Sequence, residues 1–104
     1  MTTNIKELAP GTSGGSDENV IRVMLVDDSA IIRGLIAKMI ATDPSILVTA
    51  SVADGAQAVK RMAARDIDVI VLDIEMPVMD GLTALPKLIE ADPNVKIVMA
   101  STLT

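Results

Sequence analysis

Four short apolar runs rich in β-branched residues alternate along this chain with segments of helical periodicity. Runs of this length, bounded by acids, glycine or proline, are typical of strands buried on both faces of a sheet. They cover Ile21–Val26, Ile46–Ser51, Val69–Leu72 and Val95–Ala100. Because strands that alternate with helices form parallel sheets with right-handed crossovers, the sequence predicts an α/β domain of order β-α-β-α-β-α-β.

Each predicted helix has a start signal of its own. Ser29 is the expected N-cap of the first helix, and Asp54 or Gly55 opens the second. The third helix follows Gly81 and contains Pro86, which removes one backbone hydrogen bond and predicts a late start or a kink. The first helix is expected to bury one broad stripe of side chains, formed by Ile31, Ile32, Leu35, Ile36, Met39 and Ile40.

Composition excludes several classes of function. The chain has 104 residues, a net charge of −5, and no cysteine, histidine or aromatic residue. This acidic balance argues against binding to nucleic acid or to an anionic membrane. Without cysteine or histidine, thiol nucleophiles, zinc thiolate sites and most hydrolase triads are excluded.

The amino-terminal part of the chain differs in character from the rest. Residues 1–19 are polar and rich in glycine and serine, and we expect them to be a flexible arm in front of one domain over residues 20–104. No apolar run approaches the roughly 20 residues that span a bilayer, and the arm lacks the apolar stretch of a secretory signal. A cytoplasmic location is therefore expected.

Polar side chains follow three of the predicted strands. Asp27 and Asp28 follow the first strand, Asp73 follows the third, and Ser101 follows the fourth. In open parallel sheets the ligand site lies beyond the carboxyl ends of the strands, near the point where the strand order reverses. If the first and third strands are neighbours, the three carboxylates meet in one shallow pocket.

Three carboxylates in one pocket repel one another unless a cation or protons intervene. Mg²⁺ prefers about six oxygen ligands, so carboxylates, a loop carbonyl and waters or a phosphoryl oxygen suit it. A carboxylate beside Mg²⁺ can attack a phosphoryl donor and form an acyl phosphate. Acids at strand ends also act as helix caps and turn formers, but that interpretation fits Asp54 and Asp92 better than it fits an adjacent pair of acids.

Three motifs in this order make the sequence recognisable. Val26-Asp-Asp-Ser29, Leu72-Asp-Ile-Glu-Met-Pro-Val-Met-Asp-Gly81 and Val98-Met-Ala-Ser101 resemble the receiver domains of two-component response regulators. Within that family, the chain is most similar to the receivers of chemotaxis protein-glutamate methylesterases (CheB-like). The resemblance runs from Ile21 to Thr104 and implies a flavodoxin-like (CheY-like) three-layer fold with a parallel sheet, truncated to β-α-β-α-β-α-β.

The resemblance also implies a role for each residue of the site. Asp73 would be the phosphoacceptor, and Ser101 would be the switch hydroxyl that turns toward the phosphoryl group. Pro77 and Gly81 would shape the loop that follows the acceptor. A Mg²⁺ ion would be held by Asp27, Asp28, Asp73 and the backbone carbonyl of Glu75.

Partners follow from the same resemblance. A histidine kinase of a chemotaxis-type system would supply the phosphoryl group, and a C-terminal effector domain of the parent protein would respond to it. The family's C-terminal β-α unit, with a lysine that pairs with the phosphoryl group, is not found before Thr104. We therefore expect an exposed edge at the fourth strand, and self-association there by strand pairing or by exchange of elements. We also expect the first helix to lie alone on its face of the sheet and to leave apolar surface uncovered. The chain itself is expected not to be an enzyme, although a full-length parent could be a methylesterase.

Three other interpretations compete with this one. A Mg²⁺-dependent phosphatase of the haloacid dehalogenase type is suggested by the apolar strand that ends in Asp73-Ile-Glu75, although that class places its nucleophile after the first strand. A flavin-binding module would share the fold, but no hydroxyl-rich phosphate loop follows the first strand. A receiver-like interaction domain could bind partners without phosphorylation.

Overall fold

The computed structural model describes residues 19–100. In that part of the chain, four strands alternate with three α-helices, as the sequence predicts. The flexible arm expected over residues 1–19 lies, apart from Asn19, outside the described residues. The elements are β1 (Ile21–Val26), α1 (Ala30–Ile40), β2 (Ile46–Val52), α2 (Gly55–Arg61) with a 3₁₀ turn over Met62–Ala64, β3 (Val69–Asp73), α3 (Gly81–Ala91) and β4 (Lys96–Ala100).

Each helix begins at a side-chain cap. Oxygen atoms of Ser29, Asp54 and Asp80 accept hydrogen bonds from backbone N–H groups in the first turns of α1, α2 and α3. Such caps satisfy N–H groups that have no partner inside the helix. The caps predicted at Ser29 and Asp54 are confirmed. α3 begins at Gly81 and continues through Pro86, so the late start expected from this proline is not found.

The four strands form one parallel sheet in the order β2-β1-β3-β4. The chain moves from β1 to β2 on one side and then to β3 on the other, so the strand order reverses between β1 and β3. The carboxyl ends of these two neighbours are therefore the expected place for a ligand. Beside β1, the register of β2 shifts by one residue at Thr49, which forms a bulge.

The main hydrophobic core lies on the face of the sheet that carries α2 and α3. These two helices also pack against each other. Strand residues that point to this face, such as Met24, Ile70 and Leu72, are fully enclosed, and their burial stabilises the fold. The core consists of Met24, Val26, Ala58, Met62, Ile67, Ile70, Leu72, Ala84, Leu88 and Val95.

The face that carries α1 differs from the prediction. No residue of α1 is buried, and Ile31, Leu35 and Met39 are 77%, 53% and 71% exposed. Only the side chains next to the sheet, such as Ile32 and Ile36, are half-buried. The broad buried stripe is therefore wrong: α1 packs against β1 and β2 with no other described helix beside it, and a lone helix leaves its flanks in water.

The edge strand β4 pairs with β3 and with no other strand among residues 19–100. Val98 and Met99 are 53% and 36% exposed. The described sheet thus has an apolar edge at β4, as expected from the sequence.

Candidate functional site

Three carboxylates converge where the central strands end. β1 and β3 are hydrogen-bonded neighbours, with Val26 beside Leu72 in the last matched positions. Asp27 and Asp28 follow β1 and Asp73 ends β3, so all three reach the same edge of the sheet. One carboxylate oxygen from each residue lies within 4.8 Å of the others. The predicted convergence of these three carboxylates is confirmed.

The turn between β1 and α1 holds the first two acids. The N–H of Asp27 donates to the carbonyl of Val52 at the end of β2, over 3.2 Å. The N–H of Ser29 donates to Oδ1 of Asp27 over 2.8 Å, while the Ser29 hydroxyl caps α1. Asp27 is buried and Asp28 is exposed, so one carboxylate is fixed inside the turn and the next faces solvent.

The loop between β3 and α3 is folded tightly against the end of β3. The N–H of Gly81 donates to the carbonyl of Ile74 over 2.8 Å. A Cβ atom on Gly81 would lie 2.1 Å from the carbonyl oxygen of Asp73, which explains why a glycine is needed there. The expectation that Gly81 shapes this loop is consistent with that contact.

The middle of the same loop contains a sharp reversal. The N–H of Met79 donates to the carbonyl of Pro77 over 2.7 Å, and Val78 between them has φ of 68°. This is a γ-turn, in which a β-branched residue is strained. The Met79 carbonyl in turn accepts the N–H of Gly55 over 2.9 Å, which joins the loop to the start of α2.

Electrostatics distinguish Asp73 from ordinary surface acids. Asp73 is only 2% exposed, and burial raises the pKa of its carboxyl above the usual value. The Asp27 carboxylate raises this pKa further, backbone N–H groups of Ile74 and Glu75 lower it part of the way, and Asp28 raises it. The folded chain therefore holds Asp73 where a negative charge is disfavoured without a nearby cation.

The donor set fits a hard divalent cation. The cluster offers three carboxylates and includes no nitrogen or sulfur ligand, and Mg²⁺ takes oxygen ligands of this kind. A cation between these oxygens would offset the repulsion that raises the pKa of Asp73. Glu75 is exposed and follows Asp73 by two positions, and the metal contact expected of its backbone carbonyl stays a prediction.

Ser101, the expected switch hydroxyl, lies outside the described residues. The last described residue, Ala100, pairs with Asp73 across β3 and β4.

One residue near the cluster was missed by the sequence reasoning. The guanidinium of Arg33 in α1 donates from Nη1 to the backbone carbonyl of Asp27 over 2.5 Å and from Nε to the Ser51 hydroxyl over 2.8 Å. The available signal was a charged residue inside the otherwise apolar stretch from Ile31 to Ile36.

No helix within residues 19–100 is long and apolar enough to cross a lipid bilayer.

Comparison with known proteins assigns the chain to one family. Residues 23–104 match the family model of the response regulator receiver domain. The chain belongs to this family and contains a receiver domain over residues 23–104. It is 66% identical over 94 residues to the protein-glutamate methylesterase/protein-glutamine glutaminase of group 2 operon from Rhodospirillum centenum. That match covers 90% of this chain but 23% of the relative, so most of the methylesterase lies outside it.

Solved structures agree with this assignment. The response regulator domain of CheB from Thermotoga maritima is 39% identical, with a TM-score of 0.75, over 82% of this chain and 63% of that one. CheY of Borrelia burgdorferi, solved in a complex with CheX, BeF₃ and Mg²⁺, is 31% identical with a TM-score of 0.72. That match covers 84% of this chain and 71% of the other. The flavodoxin-like receiver fold expected from the sequence is confirmed.

Proposed function

We propose that this chain accepts a phosphoryl group on Asp73 from a histidine kinase, in a reaction that depends on Mg²⁺. The observation that carries the proposal is the convergence of Asp27, Asp28 and Asp73 within 4.8 Å at the carboxyl ends of two neighbouring strands. Asp73 is the acceptor because it ends a buried strand and its carboxylate is held at one place by backbone donors.

The transfer step uses the carboxylate of Asp73 as the nucleophile. One of its oxygens attacks the phosphorus atom of the donor, the bond from phosphorus to the donor atom breaks, and the leaving group keeps the electron pair and takes a proton from solvent. Bound Mg²⁺ would supply charge compensation for the phosphoryl oxygens. Asp27, Asp28 and Asp73 would hold the ion. The product is an acyl phosphate on Asp73.

Phosphorylation of Asp73 would change the charge beside the turn that follows β1 and the loop that follows β3. The acyl phosphate is larger and more negative than the carboxylate it replaces, and it presents several strong acceptor oxygens. Ser101 is the residue that we expect to turn toward it. The loop after Asp73 is hydrogen-bonded to α2 through Met79 and Gly55, so a shift of this loop reaches a helix on the main core face.

The relatives support a chemotaxis role. The whole protein is proposed to be a protein-glutamate methylesterase whose C-terminal effector domain responds to the receiver, because the relative from Rhodospirillum centenum bears that name. The Borrelia burgdorferi structure, which contains Mg²⁺ and BeF₃, supports the proposed cation. The cytoplasmic location and the absence of nucleic acid and membrane partners stay predictions that accompany this proposal.

Self-association at β4 is a separate part of the proposal. The exposed Val98 and Met99 on an edge strand support it, since such edges pair readily with another chain. Light scattering over a range of concentrations would test it, and a monomer at the highest concentration would overturn it.

The decisive experiment is native mass spectrometry of the chain with Mg²⁺ and a small acyl phosphate donor. We expect one phosphoryl adduct in the unchanged chain, none after chelation of Mg²⁺, and none in Asp73→Asn. Glu90→Gln is the matched control, because it removes one negative charge from the exposed side of α3 and should keep the adduct. An adduct that survives in Asp73→Asn, or a chain that never forms one, would overturn the proposal.

A turnover assay separates the acceptor from the competing phosphatase. A Mg²⁺-dependent phosphatase would release many equivalents of product from a chromogenic phosphate ester, whereas a phosphoacceptor reacts once. Sustained turnover that is lost in Asp73→Asn would favour the phosphatase interpretation.

A further inference from the structure

The two acids that follow β1 lie on a short turn, and few contacts fix its shape. The Ser29 amide is bound to Oδ1 of Asp27, and the Asp27 amide is bound to Val52. The carbonyl of Asp27 belongs to the peptide that joins Asp27 to Asp28. Because this peptide joins the Cα atoms of the two acids, its orientation contributes to the directions in which their side chains leave the turn.

Arg33 is the side chain that holds this peptide. It lies in the first turns of α1, and its guanidinium reaches back to the Asp27 carbonyl from Nη1 and to the Ser51 hydroxyl from Nε. The first contact fixes the end of β1, and the second fixes the end of β2. One side chain thereby connects α1 with both strands at the edge where the site is formed.

Within residues 19–100, Arg33 forms no ion pair with an acidic side chain. The two ion pairs between side chains found in residues 19–100 are Arg22 with Asp68 and Arg61 with Asp66, and neither involves Arg33. Its positive charge is instead directed at a backbone carbonyl beside the carboxylate cluster. Charge-assisted hydrogen bonds of this kind are about twice as strong as neutral ones.

We propose that Arg33 is a positioning residue of the phosphoryl and Mg²⁺ site, which it serves by fixing the peptide between Asp27 and Asp28. The role assigned to Arg33 rests on the proposed function, whereas its hydrogen bonds to Asp27 and Ser51 are part of the structure. The planar guanidinium presents two donors at a fixed angle, and a lysine ammonium cannot offer the same fork to Asp27 and Ser51. When residues that hydrogen-bond to metal ligands and orient them are removed, the metal affinity typically changes by about 10–100-fold.

Three variants separate geometry from charge. Arg33→Lys keeps the charge and loses the fork, Arg33→Ala loses both, and Ser51→Ala removes one of the two acceptors. The control is Lys38→Ala, which removes one positive charge from the last turn of the same helix. All are studied as the full 104-residue chain labelled with ¹⁵N.

The first measurement is amide hydrogen exchange without metal. We expect the Ser29 amide to exchange about tenfold faster in Arg33→Lys and Arg33→Ala, with the central amide of Val71 in β3 unchanged as a check on folding. Unchanged Ser29 exchange in both variants would overturn the proposal, whatever the chain does with Mg²⁺.

The second measurement is a Mg²⁺ titration followed by chemical shift. We expect affinity to fall about tenfold in Arg33→Ala and Arg33→Lys, to fall less in Ser51→Ala, and to stay unchanged in Lys38→Ala. Wild-type affinity in Arg33→Lys would overturn the positioning role and leave the proposed function intact. No Mg²⁺ binding and no adduct in the unchanged chain would instead overturn the proposed function, and the exchange of Ser29 would then decide the role of Arg33 in the turn.

Discussion

The acids at the two ends of the sheet have opposite electrostatic surroundings. At the amino end, the Asp68 carboxylate accepts hydrogen bonds from Nε, Nη2 and the backbone N–H of Arg22. The Arg22 side chain lowers the pKa of Asp68. At the carboxyl end, burial and the Asp27 carboxylate raise the pKa of Asp73.

We interpret this difference as one between a structural acid, Asp68, and the proposed phosphoacceptor, Asp73. A chain under selection for stability alone would pair its acids with cations, as the amino end pairs the half-exposed Asp68 with Arg22. The carboxyl end instead brings like charges together, an arrangement that destabilises the folded state until a cation or a proton arrives. The direction of the pKa shift thus differs between Asp68 and the end of the sheet at which we propose that a ligand binds.

The largest effect on stability is expected from a steric clash placed at the carboxyl end of β3. In Gly81→Ala, the new Cβ would meet the Asp73 carbonyl at 2.1 Å, so the end of β3 or the start of α3 must move. We expect a loss of about 2–3 kcal/mol in the free energy of unfolding, measured with urea. Gly34→Ala is the matched control, because nothing lies within 4 Å of its added Cβ, and it should gain up to about 1 kcal/mol.

A wild-type unfolding midpoint for Gly81→Ala would show that the loop can retreat freely from Asp73. The backbone at the carboxyl end of β3 would then not be tightly packed, and this contrast with the amino end of the sheet would be lost.

Neutralising one acid at each end should change stability in opposite directions. Asp73→Asn removes a charge from a crowded, buried position, and we expect the metal-free chain to gain about 1 kcal/mol. Asp68→Asn breaks the contact with Arg22, and we expect a loss of about 0.5–1 kcal/mol, because both side chains are about 40% exposed and solvent screens the pair. Equilibrium unfolding in urea at neutral pH and with no Mg²⁺ measures both. Changes of the same sign would contradict the comparison.

The acids at the two ends should also affect the free energy of unfolding in different ranges of pH. Asp68 has a lowered pKa, so its contribution is present above its usual value of 3.8 and is lost as the pH falls below it. Asp73 has a raised pKa, so protonation removes its unfavourable charge as the pH falls from neutral toward that value. We expect metal-free stability to rise slightly on mild acidification and then to fall. Urea midpoints measured across this range should lose the rise in Asp73→Asn and part of the fall in Asp68→Asn.

The smallest effect is expected at the strained residue of the carboxyl-end loop. Val78 has φ of 68° and its side chain is 84% exposed, so Val78→Gly relieves strain without losing packing. Glycine also gives the unfolded chain more freedom, and we expect a net gain of about 0.5 kcal/mol. Thermal unfolding compares it with Val98→Gly at the edge of the sheet, which should destabilise. A loss of stability in Val78→Gly would mean that its backbone is relaxed.

Local signals explain how much of the fold could be predicted from the sequence. The sequence predicts the caps at Ser29 and Asp54 because a cap acts on an N–H group three residues away. It predicts β1 and β3 because their runs are short, mostly apolar and rich in β-branched residues. The cluster of Asp27, Asp28 and Asp73 followed from one topological rule about strand ends. All of these depend on short stretches or on a rule shared by parallel sheets.

Features that depend on distant neighbours could not be predicted in the same way. The periodicity of α1 predicts that Leu35 and Met39 are buried, but both are exposed. Their exposure depends on which other elements share that face of the sheet, which the resemblance to receivers indicates and the periodicity does not. The contact from Arg33 to Asp27 requires a side chain to turn back along the helix. The positive φ of Val78 contradicts the residue's own preference and is set by the closure of the loop.

The pairing of β1 with β3 has a kinetic consequence. Val23 and Arg22 meet Val69 and Asp68 across 46 positions of sequence, the longest separation of any strand pair described. Loop closure over such distances is slow, and parallel strands have no hairpin to start from. Because this pairing is also what brings Asp27 and Asp28 to Asp73, partly folded chains that lack it have no assembled site. Mg²⁺ should therefore slow unfolding and leave the refolding rate almost unchanged, so that the ion protects a finished domain and does not guide its formation.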